Sequence, residues 1–200
     1  MPPLTTMTRK IILASNNPGK LKEFSEMLGP IGFDLRTQGE FNVSEADEPH
    51  PTFIENALAK ARHAARLTGL PALADDSGVC ANALGGAPGV FSARYAGEPK
   101  SDARNNQKLI AELASQADKS AYYFCALVFV RHADDPQPVI AEGRWDGEII
   151  AVPRGQGGFG YDPHFWLSAL GKTAAELSAA EKNRLSHRGQ ALRVLVERLR

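Results

Sequence analysis

The apolar positions of this chain fall into blocks whose period switches between that of a strand and that of a helix. Lys10-Ile11-Ile12-Leu13-Ala14 is a short continuous apolar run closed by Ser15-Asn16-Asn17-Pro18-Gly19, which predicts a buried strand ending in a turn. From Lys20 the period becomes helical, with Leu21, Phe24, Met27 and Leu28 on one face until Gly29-Pro30 stops it. Phe33 to Val43 predicts a second strand and loop. Thr52-Phe53-Ile54-Glu55 has the spacing of a capping box, and Ile54, Leu58, Ala61 and Ala65 behind it predict a helix that ends at Gly69. Leu70-Pro71 leads into an apolar strand that carries Asp75 and Asp76 at its end, with Ser77-Gly78 read as the turn that follows.

In the second half, Leu84 to Tyr95 is glycine-rich and predicts an ordered loop, and Ser101 to Gln116 predicts an amphipathic helix with Leu109, Ile110 and Leu113 inward. Ala121 to Val130 is apolar at both alternating sets of positions, the pattern of a central strand covered on both faces. Val139 to Trp145 and Glu148 to Val152 predict one or two strands around Asp146-Gly147, and such short connections favour antiparallel neighbours, so the sheet is mixed. Pro153 to Gly160 holds Gly155, Gly157, Gly158 and Gly160, a density that makes sense where backbone approaches something closely. Thr173 and Ser178 are each followed three residues later by glutamate, two further capping boxes. Leu192, Leu195, Val196 and Leu199 form the stripe of a last helix, with Ser186 as its cap and Lys182, His187 and Arg188 at or before its start.

Composition narrows what such a chain does. Two hundred residues, 43% hydrophobic and 23% charged, suit one domain over residues 1–200 with a sizeable core. Lysine and arginine number 23 and so do aspartate and glutamate, so no net field draws in a polynucleotide or an anionic membrane, and small, locally held ligands are favoured. Cys80 and Cys125 have neither metal-ligand spacing nor a disulfide framework, which fits the cytoplasm. Met1 to Lys10 contains no apolar signal core, and no apolar run approaches the roughly 18 residues of a membrane span.

The chemistry concentrates at Asp75-Asp76. Two neighbouring buried acids cost several kcal/mol unless a cation or donors compensate them. A hard ion such as Mg²⁺ takes carboxylate oxygens, keeps several waters and is completed by a substrate's phosphates. Ordinary turn chemistry of Asp-Ser-Gly is the alternative for this stretch. A phosphate site belongs with the metal, and Ser15 to Lys20, a polar glycine turn feeding a helix that starts with a lysine, offers free N–H groups to an anion without P-loop spacing. Taken alone, that segment is equally a plain strand-to-helix connection, and Glu45-Ala46-Asp47-Glu48 is equally a solvated acidic surface that sits near the acid pair.

Together, Ser15-Asn16-Asn17-Pro18-Gly19-Lys20, Thr52-Phe53 with Glu55-Asn56-Ala57 and Lys60-Ala61, Ala74-Asp75-Asp76-Ser77-Gly78, Gly157-Gly158-Phe159-Gly160-Tyr161-Asp162-Pro163 and Ser186-His187-Arg188-Gly189 form an ordered set. The set closely resembles the inosine/xanthosine triphosphate pyrophosphatase family, from Lys10 to Leu199. The departures, neither at a motif position, are a longer lead before Lys10 and Pro49-His50-Pro51, where members often carry a glycine.

The resemblance implies an α/β fold with a long, twisted mixed sheet flanked by helices, two lobes with the nucleotide in the cleft between them, and a homodimer. It implies Mg²⁺-dependent hydrolysis of noncanonical purine nucleoside triphosphates (ITP, dITP, XTP) to the monophosphate and pyrophosphate. Asp76 is then the general base and a metal ligand, Glu48 the second metal ligand with Asp47 as the fallback. Ser15, Asn16, Asn17, Pro18, Gly19 and Lys20 hold the phosphate tail and Ser77 touches substrate. Phe159, Gly160, Tyr161 and Asp162, with Lys182, His187 and Arg188, make the base and sugar pocket. The alternatives are a nucleotide sensor that does not hydrolyse, which has no need of acids at Asp76 and Glu48, and a Maf-like pyrophosphatase, which leaves Phe159 to Asp162 and Ser186 to Arg188 without a role.

Overall fold

A computed structural model describes residues 9–200. Residues 1–8, most of the stretch read for an export signal, lie outside the described residues. The element order is β1 (Arg9–Leu13), α1 (Pro18–Leu28), β2 (Phe33–Thr37), α2 (Phe53–Thr68), β3 (Ala72–Ala81), α3 (Asp102–Leu113), β4 (Ser120–Val130), β5 (Val139–Ile149), β6 (Phe165–Leu167), β7 (Lys172–Thr173), α4 (Ala179–Leu185) and α5 (His187–Leu199), with short 3-10 turns between them. The seven strands form one sheet in the order β2-β1-β3-β4-β5-β6-β7. β1 runs parallel to β2 and β3, while β5–β6 and β6–β7 are antiparallel, so the sheet is mixed as the connection lengths predict. β4 takes the middle position, in line with its doubly apolar pattern.

The chain divides into two compact units. The first holds the described residues up to Asp76, together with Ala126–Glu142 and Ala191–Arg200, and the second holds Ser77–Cys125 and Gly143–Gln190. In the first unit, Ala57, Ala61, Ala64 and Ala65 of α2 pack on Ile12, Ala72, Ala74, Val128 and Val130. Small alanine side chains let the helix lie close to the strands. Ile54 and Leu58, expected on that face, are only half-buried, because the helix turns its alanine row inward instead. In the second unit, Val79, Leu109, Leu113, Trp145 and Leu167 surround Tyr123 and Phe165, whose rings lie 4.6 Å apart.

One boundary differs from the sequence reading and one open choice is resolved. Ser77-Gly78 is not a turn: β3 runs straight through it to Ala81. A Cβ on Gly78 would come within 2.4 Å of the Gly89 carbonyl and of Ser92 Oγ, so this glycine is there for close packing inside a strand. β5 is one unbroken strand, because Gly147 likewise admits the Trp166 carbonyl and the Phe165 ring, each under 3 Å from where a Cβ would stand. Among the described residues no helix is long and apolar enough to cross a membrane.

Candidate active site

In the first unit the acids sit on β3, where successive side chains point to opposite faces. Asp75 therefore meets α1, accepting from Lys20 Nζ at 2.8 Å, while Asp76 meets α2. Lys60 Nζ stands 3.3 Å from Asp76 Oδ1 and 2.5 Å from Glu48 Oε1, so one ammonium is shared by two carboxylates. Asn56, one helical turn before Lys60 and buried, donates to Asp76 Oδ2 at 3.3 Å. Asn56 is itself fixed by His50, whose N–H it accepts and whose carbonyl it donates to, and this ties the segment after Glu48 to α2. Asp47 is exposed, so of the two acids weighed above it is Glu48 that meets the cation beside Asp76.

Burial pushes the Asp76 carboxyl above the ordinary carboxylate value, and Glu48 adds to this while Lys60 and Asn56 oppose it. For Lys60, burial works against the charge, but Asp76, Asp75 and Glu48 outweigh it and hold the ammonium protonated more firmly than usual. Hard carboxylate oxygens gathered round a replaceable positive charge suit Mg²⁺, which needs only one or two protein carboxylates when waters and phosphates complete its shell. Glu48 and Asp76 are the residues that would hold it. Among the described residues no group of three or more histidine, cysteine or acidic side chains is placed to hold a metal ion.

The start of α1 corrects one expectation. Asn17 Oδ1 accepts the N–H groups of Gly19 and Lys20 at 2.9 and 3.2 Å, Leu21 N–H goes to the Asn17 carbonyl, and Pro18 has none. Ser15 Oγ in turn accepts the Asn17 N–H, and Asn16 Oδ1 accepts that of Gly39. The first turn thus offers an anion no free backbone donor as it stands. What it presents is the Lys20 ammonium, held by Asp75.

In the second unit a cavity of about 140 Å³ opens between Ser77, Ser92 and Ala93 on one wall and Phe159, Gly160 and Tyr161 on another. Its size is close to the roughly 150 Å³ known to take a benzene ring. Asp162, buried at its base, accepts from β4, α4 and its own loop: Tyr123 hydroxyl at 3.2 Å, Lys182 Nζ at 2.5 Å and Phe159 N–H at 2.8 Å. Lys182 also lies 4.9 Å from the centre of the Phe159 ring, which is 62% exposed. His187 stacks on Tyr123 at 4.7 Å with the planes 7° apart, and Arg188 lines the cavity beside it. Both are placed by the start of α5, where Ser186 Oγ accepts the Gly189 N–H as the sequence predicts.

Each unit therefore gathers its share of the residues singled out from the sequence. The first brings Lys20, Glu48 and Asp76 to the acid pair in the middle of β3, and the second brings Ser77, Phe159, Gly160, Tyr161, Asp162, Lys182, His187 and Arg188 to one cavity. Sequence reasoning missed Lys60 and Asn56 as site residues. The signal was present: two polar residues at i and i+4 beside an alanine face have no reason to be inward unless something charged waits there. Tyr123 was missed as well, because a tyrosine inside an apolar strand reads simply as core.

The Ham1 family model matches residues 11–198. A "dITP/XTP pyrophosphatase" of Ralstonia nicotianae is 71% identical over 195 residues, covering 96% of this chain and 97% of that protein. One of Nitrosomonas europaea, with the same name, is 67% identical over 190 residues, covering 95% and 94%. The structure of a HAM1 protein from Coxiella burnetii superimposes with a TM-score of 0.93 at 49% identity, covering 96% of this chain and 98% of that one.

Proposed function

The chain belongs to the Ham1 family, and from that premise we propose that it hydrolyses noncanonical purine nucleoside triphosphates, ITP, dITP and XTP, to the monophosphate and pyrophosphate. The activity named for its relatives supports this reading. So does one feature of the first unit, the ammonium of Lys60 shared between Asp76 and Glu48. A cation locked between two acids is the arrangement expected of a site that exchanges counter-ions when a metal triphosphate arrives.

Asp76 is assigned as the general base, orienting a water and taking its proton. A carboxylate held above its ordinary pKa is a better proton acceptor than a solvated one. Mg²⁺, held by Glu48 and Asp76 when bound, supplies charge neutralisation for the phosphates. Lys20 and Lys60, released from their carboxylates, turn to the phosphate oxygens, with Ser15, Asn16, Asn17, Pro18 and Gly19 shaping the loop that carries Lys20. No covalent nucleophile is required.

The cavity of the second unit is assigned to the base. Hypoxanthine and xanthine present a carbonyl at position 6 where adenine presents an amino group. Donors from Lys182, His187 and Arg188 suit the first, whose oxygen accepts, and leave the second facing a donor, a mismatch that such sites convert into discrimination of about 10⁴. Phe159 stacks on the ring and adds affinity. Ser77 is assigned a substrate contact in the same unit. The protein is proposed to act as a homodimer in the cytoplasm, on resemblance alone.

The test is a Mg²⁺-dependent assay across eight nucleoside triphosphates that separates pyrophosphate from orthophosphate. The reading predicts pyrophosphate as the product, with kcat/KM for ITP and XTP at least about 100-fold above that for ATP and GTP. Orthophosphate as the product, or equal rates for ATP and ITP, would contradict it.

A further inference from the structure

The two walls of the second unit's cavity are held by a single turn of helix. The Gly160 N–H donates to Asp102 Oδ2 at 2.7 Å, and the Gly160 carbonyl accepts from Asn106 Nδ2 at 2.8 Å, so both peptide groups of this glycine are gripped by the start of α3. On the other wall, the neighbouring Asn105 donates to the Ala93 carbonyl at 3.1 Å and accepts the Ala96 N–H at 2.8 Å. The Tyr161 hydroxyl then reaches across to the Ser92 carbonyl at 2.8 Å. Asn106 closes the set by donating to the carbonyl of Asp102.

These bonds fall where the backbone has least preference of its own. Gly160 sits at φ +62° and follows Gly157 and Gly158, so this segment has more freedom to lose on ordering than any other in the cavity. Phe159, largely exposed, has little packing to hold it. Asn105 and Asn106 are both more than nine-tenths buried, and a buried amide on a helix is costly unless its bonds are used. Here both ends of the Asn105 amide and the Nδ2 of Asn106 are used to fix loops, while the buried Asn106 Oδ1 has no hydrogen-bond partner among the described residues.

We propose that Asp102, Asn105 and Asn106 are positioning residues that set the separation of the two walls, and so decide which flat ring the cavity accepts, without taking part in cleavage of the phosphate bond. The proposal rests on the reading of this cavity as the base site. A preset slot binds its ring without first having to order the loop, so losing the clamp weakens recognition of the base and leaves the bond-breaking step largely intact.

The experiment combines steady-state kinetics with ITP and ATP, inhibition by inorganic tripolyphosphate, which has no base, and amide hydrogen exchange over residues 158–162. Asn106→Ala and Asp102→Ala are expected to raise KM for ITP about tenfold while kcat falls by less than about threefold, the scale of one or two net hydrogen bonds. The ITP-to-ATP preference narrows, tripolyphosphate inhibition stays as in wild type, and exchange at Gly160 and Tyr161 accelerates. Asp102→Asn keeps an acceptor for the Gly160 N–H and should restore most of the lost affinity. An unchanged KM, or a kcat loss as large as the KM rise, would overturn the proposal. So would an Asp102→Asn variant as impaired as the alanine one, since the Asp102 charge would then be touching the base itself. Phe159→Ala separates the two levels of the argument. If it leaves KM for ITP untouched, the assignment of the cavity fails; if it raises KM while Asn106→Ala does not, the clamp alone fails.

Discussion

The acids in the middle of β3 and the cavity of the second unit solve the problem of buried charge in different ways. Asp75 and Asp76 are each balanced by a lysine, a flexible stem ending in a point charge that moves at little cost. Asp162 also has a lysine, Lys182, but adds to it the Phe159 backbone N–H from its own loop and the hydroxyl of a tyrosine packed on Phe165. The first arrangement can be opened by a stronger cation or a more highly charged anion. The second is a closed network whose members hold one another in place. The contrast is what the proposed function asks for at the two ends of a nucleoside triphosphate: a tail met by exchanging counter-ions and a ring met by a slot already formed.

The sharpest way to break this contrast is Asp76→Asn. Turnover should fall by about 10³ or more, the scale of a lost general base. Because burial already disfavours the Asp76 charge, the neutral amide should unfold at a temperature no lower than wild type. A near-normal kcat would remove Asp76 from the chemistry. Lys182→Ala comes next. It leaves the Asp162 charge without its ammonium, so the ITP-to-ATP ratio should collapse by about 10-fold to 100-fold and stability should drop by about 2 kcal/mol, in denaturant titration and competition kinetics. If the ratio held, the closed network would be structural only. Lys20→Ala is expected to weaken binding of a triphosphate about tenfold and binding of the free nucleoside hardly at all, by calorimetry. Equal losses would move Lys20 away from the phosphates.

Asp135 gives the smallest effect on activity and a clean control, being charged, buried and outside both regions. It accepts from the Arg131 guanidinium and from the N–H groups of Arg131 and Gln137, which holds its carboxyl well below the usual range. A depressed carboxylate contributes stability that is complete above the unfolded value, near pH 4, and is lost as pH falls toward the folded one. Asp135→Asn should therefore lower the unfolding midpoint at pH 7 and flatten its fall between about pH 4 and pH 2, with kcat unchanged. A wild-type protein whose midpoint does not fall through that window would contradict it.

Much of this molecule is legible in the chain because periodicity and punctuation report local structure directly. Ser186 and Ser178 cap helices where the spacing says they should, and β4 is central because it is apolar on both faces. What misleads is chemistry shared by two contexts. Ser77-Gly78 carries turn residues yet lies inside β3, since the glycine answers to Ser92 and Gly89, which come many residues later in sequence. The free donors expected at α1 were consumed by Asn17, a residue noted for its turn propensity whose capping bond depends on geometry that spacing alone does not fix. Lys60, Tyr123 and Asn106 act through partners 16, 39 and 54 residues away, and no local pattern reveals such distances.

The division of labour is tested most directly by the ratio of kcat/KM for ITP to that for ATP, measured in wild type, in Lys60→Met and in Lys182→Ala with pyrophosphate as the product followed. The account predicts a wild-type ratio of at least about 100, a slower Lys60→Met enzyme with that ratio held within about threefold, and a Lys182→Ala enzyme whose ratio falls toward one. A wild-type ratio near one, or a Lys60 variant that loses selectivity as fully as the Lys182 variant, would contradict it.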